Sequence, residues 1–414
     1  MQYRRDERGG NKLSALGFGC MRFPKAGAGF DLDKSRELIL EAIDSGVNYF
    51  DTAYIYGNSE EVLGKILTPD IRGKIYLATK MPQYIVKKTE DYDKIFEKQL
   101  TRLCTDYIDY YLMHMLTGFD AWEYQKNLGC IEWAEKKKAE GKIKNFGFSY
   151  HGGRDGFKQI LNDYNWDFVQ IQYNYIDEHN QAARSGLEAA AAKNIPVIIM
   201  EPLLGGKLAA ALPDGSSGGL SGGLSKEAVA AFTEGTPQKY ALRWIWNQPE
   251  VTVILSGMST LEQLRENVAV CESAVPGCLT EKESAAVETA KQAYLSSIKI
   301  PCTACGYCMP CPFGVDIPTA FSMYNMIYTQ GRKEAVARYM QNMNAFGSDT
   351  HFASRCKKCG KCKSHCPQSI QIPAELASAA KALEPLWLKA VVKVYKTVFA
   401  RKKQRRHMNT GSKV

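Results

Sequence analysis

Eight short apolar runs punctuate the first 260 residues, and amphipathic stretches with three-to-four-residue spacing follow several of them. The runs are SALGFGCMRF from Ser14, VNYFDTA from Val47, IYLATK from Ile75, YIDYYLMH from Tyr107, KNFGFSY from Lys144, FVQIQYN from Phe168, PVIIMEP from Pro196 and TVILSG from Thr252. Helical spacing marks Asp33–Ser45, Asp120–Gly141 and Leu261–Glu272. Alternating strand and helix signals predict an α/β fold with a parallel sheet, and eight units suit a (β/α)8 TIM barrel. A doubly wound sheet is the alternative, but no GxGxxG follows the first strand.

Two regions interrupt this rhythm. Between Leu204 and Ser225 lie seven glycines and several serines, which read either as a disordered insertion or as a flap over a ligand at the C-terminal ends of the strands. Beyond residue 290 the strand pattern stops, cysteines crowd together, and Thr319–Met343 reads as helix. Further on, Trp387, Val391, Val394 and Val398 fall on one face of a basic helix, with Lys389, Lys393 and Lys396 off it and RKKQRR behind. Such a helix packs on its own domain or rests on an anionic surface, and the first is favoured here. The expected domains are 1–290 for the barrel, 291–385 for the cysteine module and 386–414 for the basic helix and tail.

Composition sharpens the picture at three points. With 45% hydrophobic and 23% charged residues in 414, a large buried core is available and wholesale disorder is excluded. The start, MQYRRDERGGN, carries no apolar run that could act as a signal, and no stretch is long enough to span a membrane, so a cytoplasmic protein is expected. Charge is uneven: residues 299–414 hold 19 Lys+Arg against 5 Asp+Glu, a balance of +14, which leaves −5 for the rest. A segment so basic points to an acidic partner.

Chemistry gathers at the ends of the runs. Asp51 lies near the end of the second, Lys80 closes the third, His114 closes the fourth, and Tyr56 stands in the loop after Asp51. Barrel active sites are built at that end of the strands. The segment Phe50-Asp51-Thr52-Ala53-Tyr54-Ile55-Tyr56-Gly57, with Glu60 behind it, resembles the aldo-keto reductase signature, and the likeness covers about residues 12–275. It implies a catalytic tetrad of Asp51, Tyr56, Lys80 and His114 that moves hydride between a nicotinamide nucleotide and a carbonyl or alcohol. Reducing a carbonyl needs a proton for the oxygen, and a phenol with a pKa near 10 is a weak acid at neutral pH. A Lys80 cation favours the phenolate, Asp51 balances the lysine, and His114 can donate to the same oxygen.

The same resemblance implies cofactor contacts. Ser149 and Gln170 match the family's carboxamide ligands, with Tyr150 where Asn is usual. Met200 stands where an aromatic residue normally stacks on the nicotinamide, followed by Glu201. Glu266 and Asn267 match the adenosine end. Gly257, Met258 and Gln263 replace the Lys, Ser and Arg common in NADPH-preferring members, so NADP and NAD are both expected to serve, with a modest preference.

Eight of the thirteen cysteines form two runs. Cys302, Cys305, Cys308 and Cys311 precede Pro312; Cys356, Cys359, Cys362 and Cys366 precede Pro367. Triplets at three-residue intervals with a remote Cys-Pro resemble bacterial two-cluster ferredoxins, although the first run has two residues before its last cysteine instead of three. The resemblance implies two [4Fe-4S] clusters in a mainly helical ferredoxin-like domain. Cys302, Cys305, Cys308 and Cys366 would hold one, and Cys356, Cys359, Cys362 and Cys311 the other. Zinc is the rival metal, but zinc sites usually draw on separated pairs. CPFGVDIP and CPQSIQIP share CP-x-x-[VI]-x-IP, an internal duplication 55 residues apart. The remaining five cysteines are scattered.

An oxidoreductase is expected, its clusters linking a small carbonyl or alcohol substrate to an acidic one-electron carrier such as a ferredoxin or flavodoxin. No nucleic acid is expected as a partner, and peripheral membrane contact by the C-terminal helix stays open. Two other readings also stay open: a plain nicotinamide-dependent reductase with structural clusters, and a redox-sensing subunit that uses the barrel to bind nucleotide.

Overall fold

In the computed structural model, all eight apolar runs are strands. We label them β1 (Leu16–Gly19), β2 (Tyr49–Asp51), β3 (Tyr76–Met81), β4 (Ile108–Leu116), β5 (Ile143–Tyr150), β6 (Phe168–Gln172), β7 (Val197–Met200) and β8 (Val251–Ser256). Each pairs in parallel with the next and β8 pairs with β1, closing a barrel. The structure describes residues 1–27, 29–179, 181–206, 208–209, 224, 226–296, 299–300, 302, 308–347, 349–363, 366 and 370–397. Two compact units divide between Tyr294 and Leu295, inside the last turn of the helix Glu281–Ser296 and slightly beyond the expected residue 290. Most of the glycine-rich connection, and with it the question of a flap, lies outside the described residues.

Large rings fill the lower barrel. Tyr49, Tyr110 and Phe168 are fully buried, with Tyr110 5.1 Å from Tyr49 and 5.0 Å from Phe168 between ring centroids. An N-terminal hairpin that the apolar pattern did not announce, Tyr3–Arg5 with Lys12–Ser14, precedes β1. In its turn, Asp6 accepts a hydrogen bond from Tyr110 Oη at 2.6 Å, and Asn11 donates to the same hydroxyl at 2.9 Å. This end is sealed by packing, which leaves the other end open for ligand chemistry.

Two helices expected to be continuous are broken. Asp120–Gly141 forms Phe119–Asn127 and Cys130–Ala139, separated at Gly129 with φ +80°. Thr319–Met343 forms Ile317–Gln330 and Arg332–Asn342, separated at Gly331 with φ +84°. A positive φ ends the i→i−4 ladder at little steric cost only at glycine, and helical spacing on both sides hid the break.

The second unit is helical. Each copy of CP-x-x-[VI]-x-IP launches a helix, Ile317–Gln330 or Ile372–Leu383, with its proline in the first turn, where no N–H is missed. Asp316 caps the first by accepting from Thr319 N at 3.2 Å. Asn325 clamps the backbone of Ile300, just before the first cysteine run, with bonds of 2.8 and 2.7 Å. A last helix covers 386–397. It packs through Leu388 and Val392 and sets Tyr395 against Phe346, with ring centroids 5.0 Å apart. The expected face of Trp387, Val391 and Val394 is instead exposed, and Val398 lies outside the described residues. Among the described residues no helix is long and apolar enough to cross a membrane.

Candidate active site and cysteine cavity

At the open end of the barrel, β2, β3 and β4 bring the four expected catalytic residues together. Asp51 ends β2, Lys80 lies beside it on β3, and both are buried. Lys80 Nζ donates to Asp51 Oδ1 at 2.5 Å and to the Thr52 carbonyl at 2.7 Å, and stands 3.5 Å from Tyr56 Oη. The His114 ring meets the Tyr56 ring edge-on at 5.9 Å. Its Nδ1 is buried with no hydrogen-bond partner among the described residues.

The surrounding chain holds this geometry. Ser59 Oγ lies 2.8 Å from Thr52 Oγ1 and donates to the Cys20 carbonyl at 2.8 Å, pinning the loop that carries Tyr56. Glu60, behind the signature, is buried and accepts from Thr79 at 2.7 Å, Gln99 at 2.8 Å and Arg102 at 3.0 Å. It therefore ties the tyrosine's loop to the lysine's strand.

Protonation follows from burial and charge. Burial pushes the Tyr56 phenol above its ordinary value, Lys80 opposes this, and Asp51 and Glu201 reinforce it. The tyrosine's net shift is thus upward, because desolvation outweighs the lysine. Burial alone would lower Lys80, but the charges of Asp51 and Tyr56 and their hydrogen bonds carry it above its usual value. His114 lies well below the ordinary histidine range, through burial first and then the Lys80 and His151 charges, so it is a neutral donor at pH 7.

Of the expected nucleotide contacts, Ser149 and Gln170 are register partners on β5 and β6. Ser149 Oγ accepts from Met115 N at 2.9 Å, and Gln170 donates to Asp51 Oδ2 at 3.0 Å. The serine O–H and the glutamine carbonyl are left as donor and acceptor for a carboxamide. Tyr150 is structural: fully buried, it donates to the Gly153 carbonyl at 2.7 Å. Met200 ends β7, paired in register with Gln172. Asn267 is buried and bound to Ser256 Oγ at 3.0 Å, whereas Glu266 is exposed and accepts from Gln238 at 2.7 Å. Gln263 closes the loop after β8 by accepting from Ser259 N at 2.9 Å.

Arg22 was not singled out from the sequence. It follows β1 and donates to the Gly205 carbonyl at 2.7 Å. A Cβ at Gly257 would lie 3.2 Å from its Cδ, and one at Gly205 2.9 Å from its Nη2. Two bare glycine backbones thus flank an exposed guanidinium among the loops after β1, β7 and β8, a cradle that fits an anionic phosphate linker. Arg22 stands next to the end of the first apolar run, where a barrel places its site residues, and that was the signal available. Glu201, with φ +53° just beyond β7, also reaches Tyr56 electrostatically, and its place near the end of the seventh apolar run was the same kind of signal.

In the second unit, Cys308, Cys311, Cys356, Cys359 and Cys362 line one cavity of about 430 Å³, walled by Met309, Pro312, Phe313, Ile317 and Leu376. Burial pushes the Cys362 thiol up, and so do Cys356, Cys311 and Cys359, which places these three within electrostatic reach of Cys362. Together the four are the set expected for the second cluster, the irregularly spaced Cys311 included. Lys358 N points at Cys356 Sγ from 3.4 Å, and positive φ at Lys358 and Gly360 curls the loop around its sulfurs. Tyr339 Oη and Glu384 hold the start of this loop, accepting from Ala353 N at 2.7 Å and Ser354 N at 3.0 Å. Five thiols around a roomy, largely apolar cavity fit a polynuclear iron–sulfur group. Of the other set, Cys302, Cys308 and Cys366 are partly buried at the edge of the same core, and Cys305 lies outside the described residues.

Comparison with known proteins agrees with both halves. The sequence model of the 4Fe-4S dicluster domain matches residues 301–370, and that of the aldo/keto reductase family matches residues 15–290. The uncharacterized oxidoreductase YqkF of Bacillus subtilis is 30% identical over 300 residues, covering 67% of this chain and 92% of its own. The NADH-specific methylglyoxal reductase of Escherichia coli is 27% identical over 303 residues, covering 62% of this chain and 89% of its own. The solved holo form of aldo-keto reductase AKR11C1 from Bacillus halodurans superposes with a TM-score of 0.59 at 26% identity, covering 70% of this chain and 96% of its own. The chain belongs to the aldo/keto reductase family and is an oxidoreductase whose barrel is followed by an iron–sulfur domain.

Proposed function

We propose that this protein interconverts a small carbonyl compound and its alcohol, with Tyr56 as the group that exchanges the proton. The observation that carries this is the buried Lys80 ammonium, 2.5 Å from Asp51 and 3.5 Å from Tyr56 Oη. When bound, a nicotinamide nucleotide supplies hydride chemistry and iron–sulfur clusters supply single-electron steps. The chain's own residues do the rest. Tyr56 Oη delivers its proton to the substrate oxygen, and Lys80 stabilises the phenolate left behind until solvent reprotonates it. Neutral His114 donates a second hydrogen bond to the same oxygen. Asp51, held by Gln170, keeps Lys80 charged. Ser149 and Gln170 hold the carboxamide, Met200 packs against the ring, Gly257 and Arg22 take the phosphates, and Glu266 and Asn267 take the adenosine. Met21, Ile55, Tyr84 and Ile85, all exposed on loops after β1, β2 and β3, offer an apolar rim to the substrate. The methylglyoxal activity in the name of the Escherichia coli relative supports a small carbonyl substrate.

The clusters, in this reading, exchange electrons with an acidic one-electron carrier. Cys359 is exposed, and Lys357, Lys358, Lys361 and Lys363 interleave with Cys359 and Cys362, which favours electron exchange over a purely structural role. Two cluster sets are proposed, Cys302, Cys305, Cys308 and Cys366, and Cys356, Cys359, Cys362 and Cys311, in a cytoplasmic protein. Tyr56→Phe tests the central claim: carbonyl reduction is lost while the iron content and nucleotide titration stay unchanged. Turnover within a few-fold of wild type removes Tyr56 as proton donor.

A further inference from the structure

The C-terminal helix 386–397 has three faces. One is packed: Leu388 is fully buried, Val392 nearly so, and Tyr395 rests on Phe346. A second carries Lys389, Lys393 and Lys396, spaced by four and three residues. The third is apolar and bare: Trp387 is 54% exposed, Val391 44% and Val394 63%. Trp387, Val391 and Val394 follow the i, i+4, i+7 spacing of one stripe. Scattered exposed hydrophobics are ordinary, whereas a contiguous stripe over about two turns, tryptophan included, marks a covered surface.

We propose that this stripe seats the protein on an anionic lipid surface. Charge selects that occupant. From Pro385 to Val414 there are nine Lys+Arg and no Asp or Glu, so whatever meets this face must be negative or tolerate dense positive charge. A second copy of the chain would bring two such segments together and meet mutual repulsion. A protein groove that engulfs a basic amphipathic helix needs most of its circumference, yet the Leu388 and Val392 face is already spent on the helix's own unit. A bilayer interface needs one side only. The tryptophan and valines enter the headgroup boundary while the lysines reach the phosphates with their long stems. The side chains of 398–414 enter this argument by their charge alone.

The test uses the full cluster-containing protein and flotation with vesicles of phosphatidylcholine alone or mixed with phosphatidylglycerol. Binding to the mixed vesicles is expected, at least about tenfold weaker to phosphatidylcholine alone, and weaker again in high salt. Trp387→Ser combined with Val394→Ser should lose binding while keeping carbonyl reduction and the visible absorption of the clusters, because both side chains are exposed. Four results would each overturn the proposal. These are no flotation of the wild type, equal flotation of the double variant, complete displacement by soluble polyglutamate, and a wild-type dimer that the double variant turns into a monomer. The second and third would show charge alone at work, and the last would assign the stripe to a second copy.

Discussion

Replacing Lys80 with methionine removes a charge from the barrel while nearly conserving volume, so the consequence is electrostatic. Lys80 and Asp51 are each no more than 4% exposed, and the lysine is Asp51's cationic partner at 2.5 Å. After substitution Asp51 keeps, among the described residues, only the Gln170 amide at 3.0 Å, and the Thr52 carbonyl loses its donor at 2.7 Å. Removing one partner of a buried pair typically costs about 3–5 kcal/mol, and orphaning a carbonyl adds about 1 kcal/mol. Lys80→Met should therefore destabilise the barrel by roughly 4–6 kcal/mol. Adding Asp51→Asn removes the stranded charge and should recover most of that loss, although neither variant should reduce carbonyls. Urea unfolding followed by tryptophan fluorescence suits the question, because five of the six tryptophans lie in the barrel unit and only Trp387 lies outside it. A single variant within about 1 kcal/mol of wild type, or a double variant no more stable than the single one, would refute the buried-pair reasoning.

The remaining expectations follow from protonation, the phosphate cradle and the thiols. Reduction uses protonated Tyr56, held above its ordinary 10.0, and neutral His114, held well below 6.5; the rate should therefore stay flat from about pH 6 to 9 and fall only above that, and an acid limb near 6.5 that disappears in His114→Gln would contradict the assignment. Alcohol oxidation needs the phenolate and should still be rising at pH 9. Arg22→Ala should weaken NADH and NADPH alike, by about 10- to 100-fold in fluorescence titrations, as the loss of a charge-assisted contact costs about 1.5–3 kcal/mol; an effect on NADPH alone would move Arg22 to the 2′-phosphate. Cys311→Ala should lower iron from about eight to about four per chain, whereas stoichiometric zinc without sulfide would end the cluster assignment.

Much of the site was legible because its signals are local. Asp51 and Tyr56 sit in one eight-residue segment, Lys80 and His114 close strong apolar runs, and Cys356, Cys359 and Cys362 stand at intervals of three. Gly129 and Gly331 were not legible as breaks, because the helical spacing continues on both sides and only backbone torsion separates the halves. The C-terminal helix was readable as amphipathic but not as three-faced, since which apolar side is buried depends on what packs against it.

The succession of strands along the chain, the residue types of the tetrad and the thiolate runs were set by primary structure, because side-chain periodicity and motif spacing are properties of neighbours along the chain. Tertiary structure alone decided what meets across it. Barrel closure pairs β8 with β1 and sets Arg22 against Gly257, residues more than 200 positions apart. It also brings Glu201 into the field of Tyr56, and desolvation there turns the tyrosine's shift upward despite the lysine beside it. The fold of the second unit likewise carries Cys311 to Cys356, Cys359 and Cys362. Burial and long-range contact set these energies, and neither is a function of any short window of sequence.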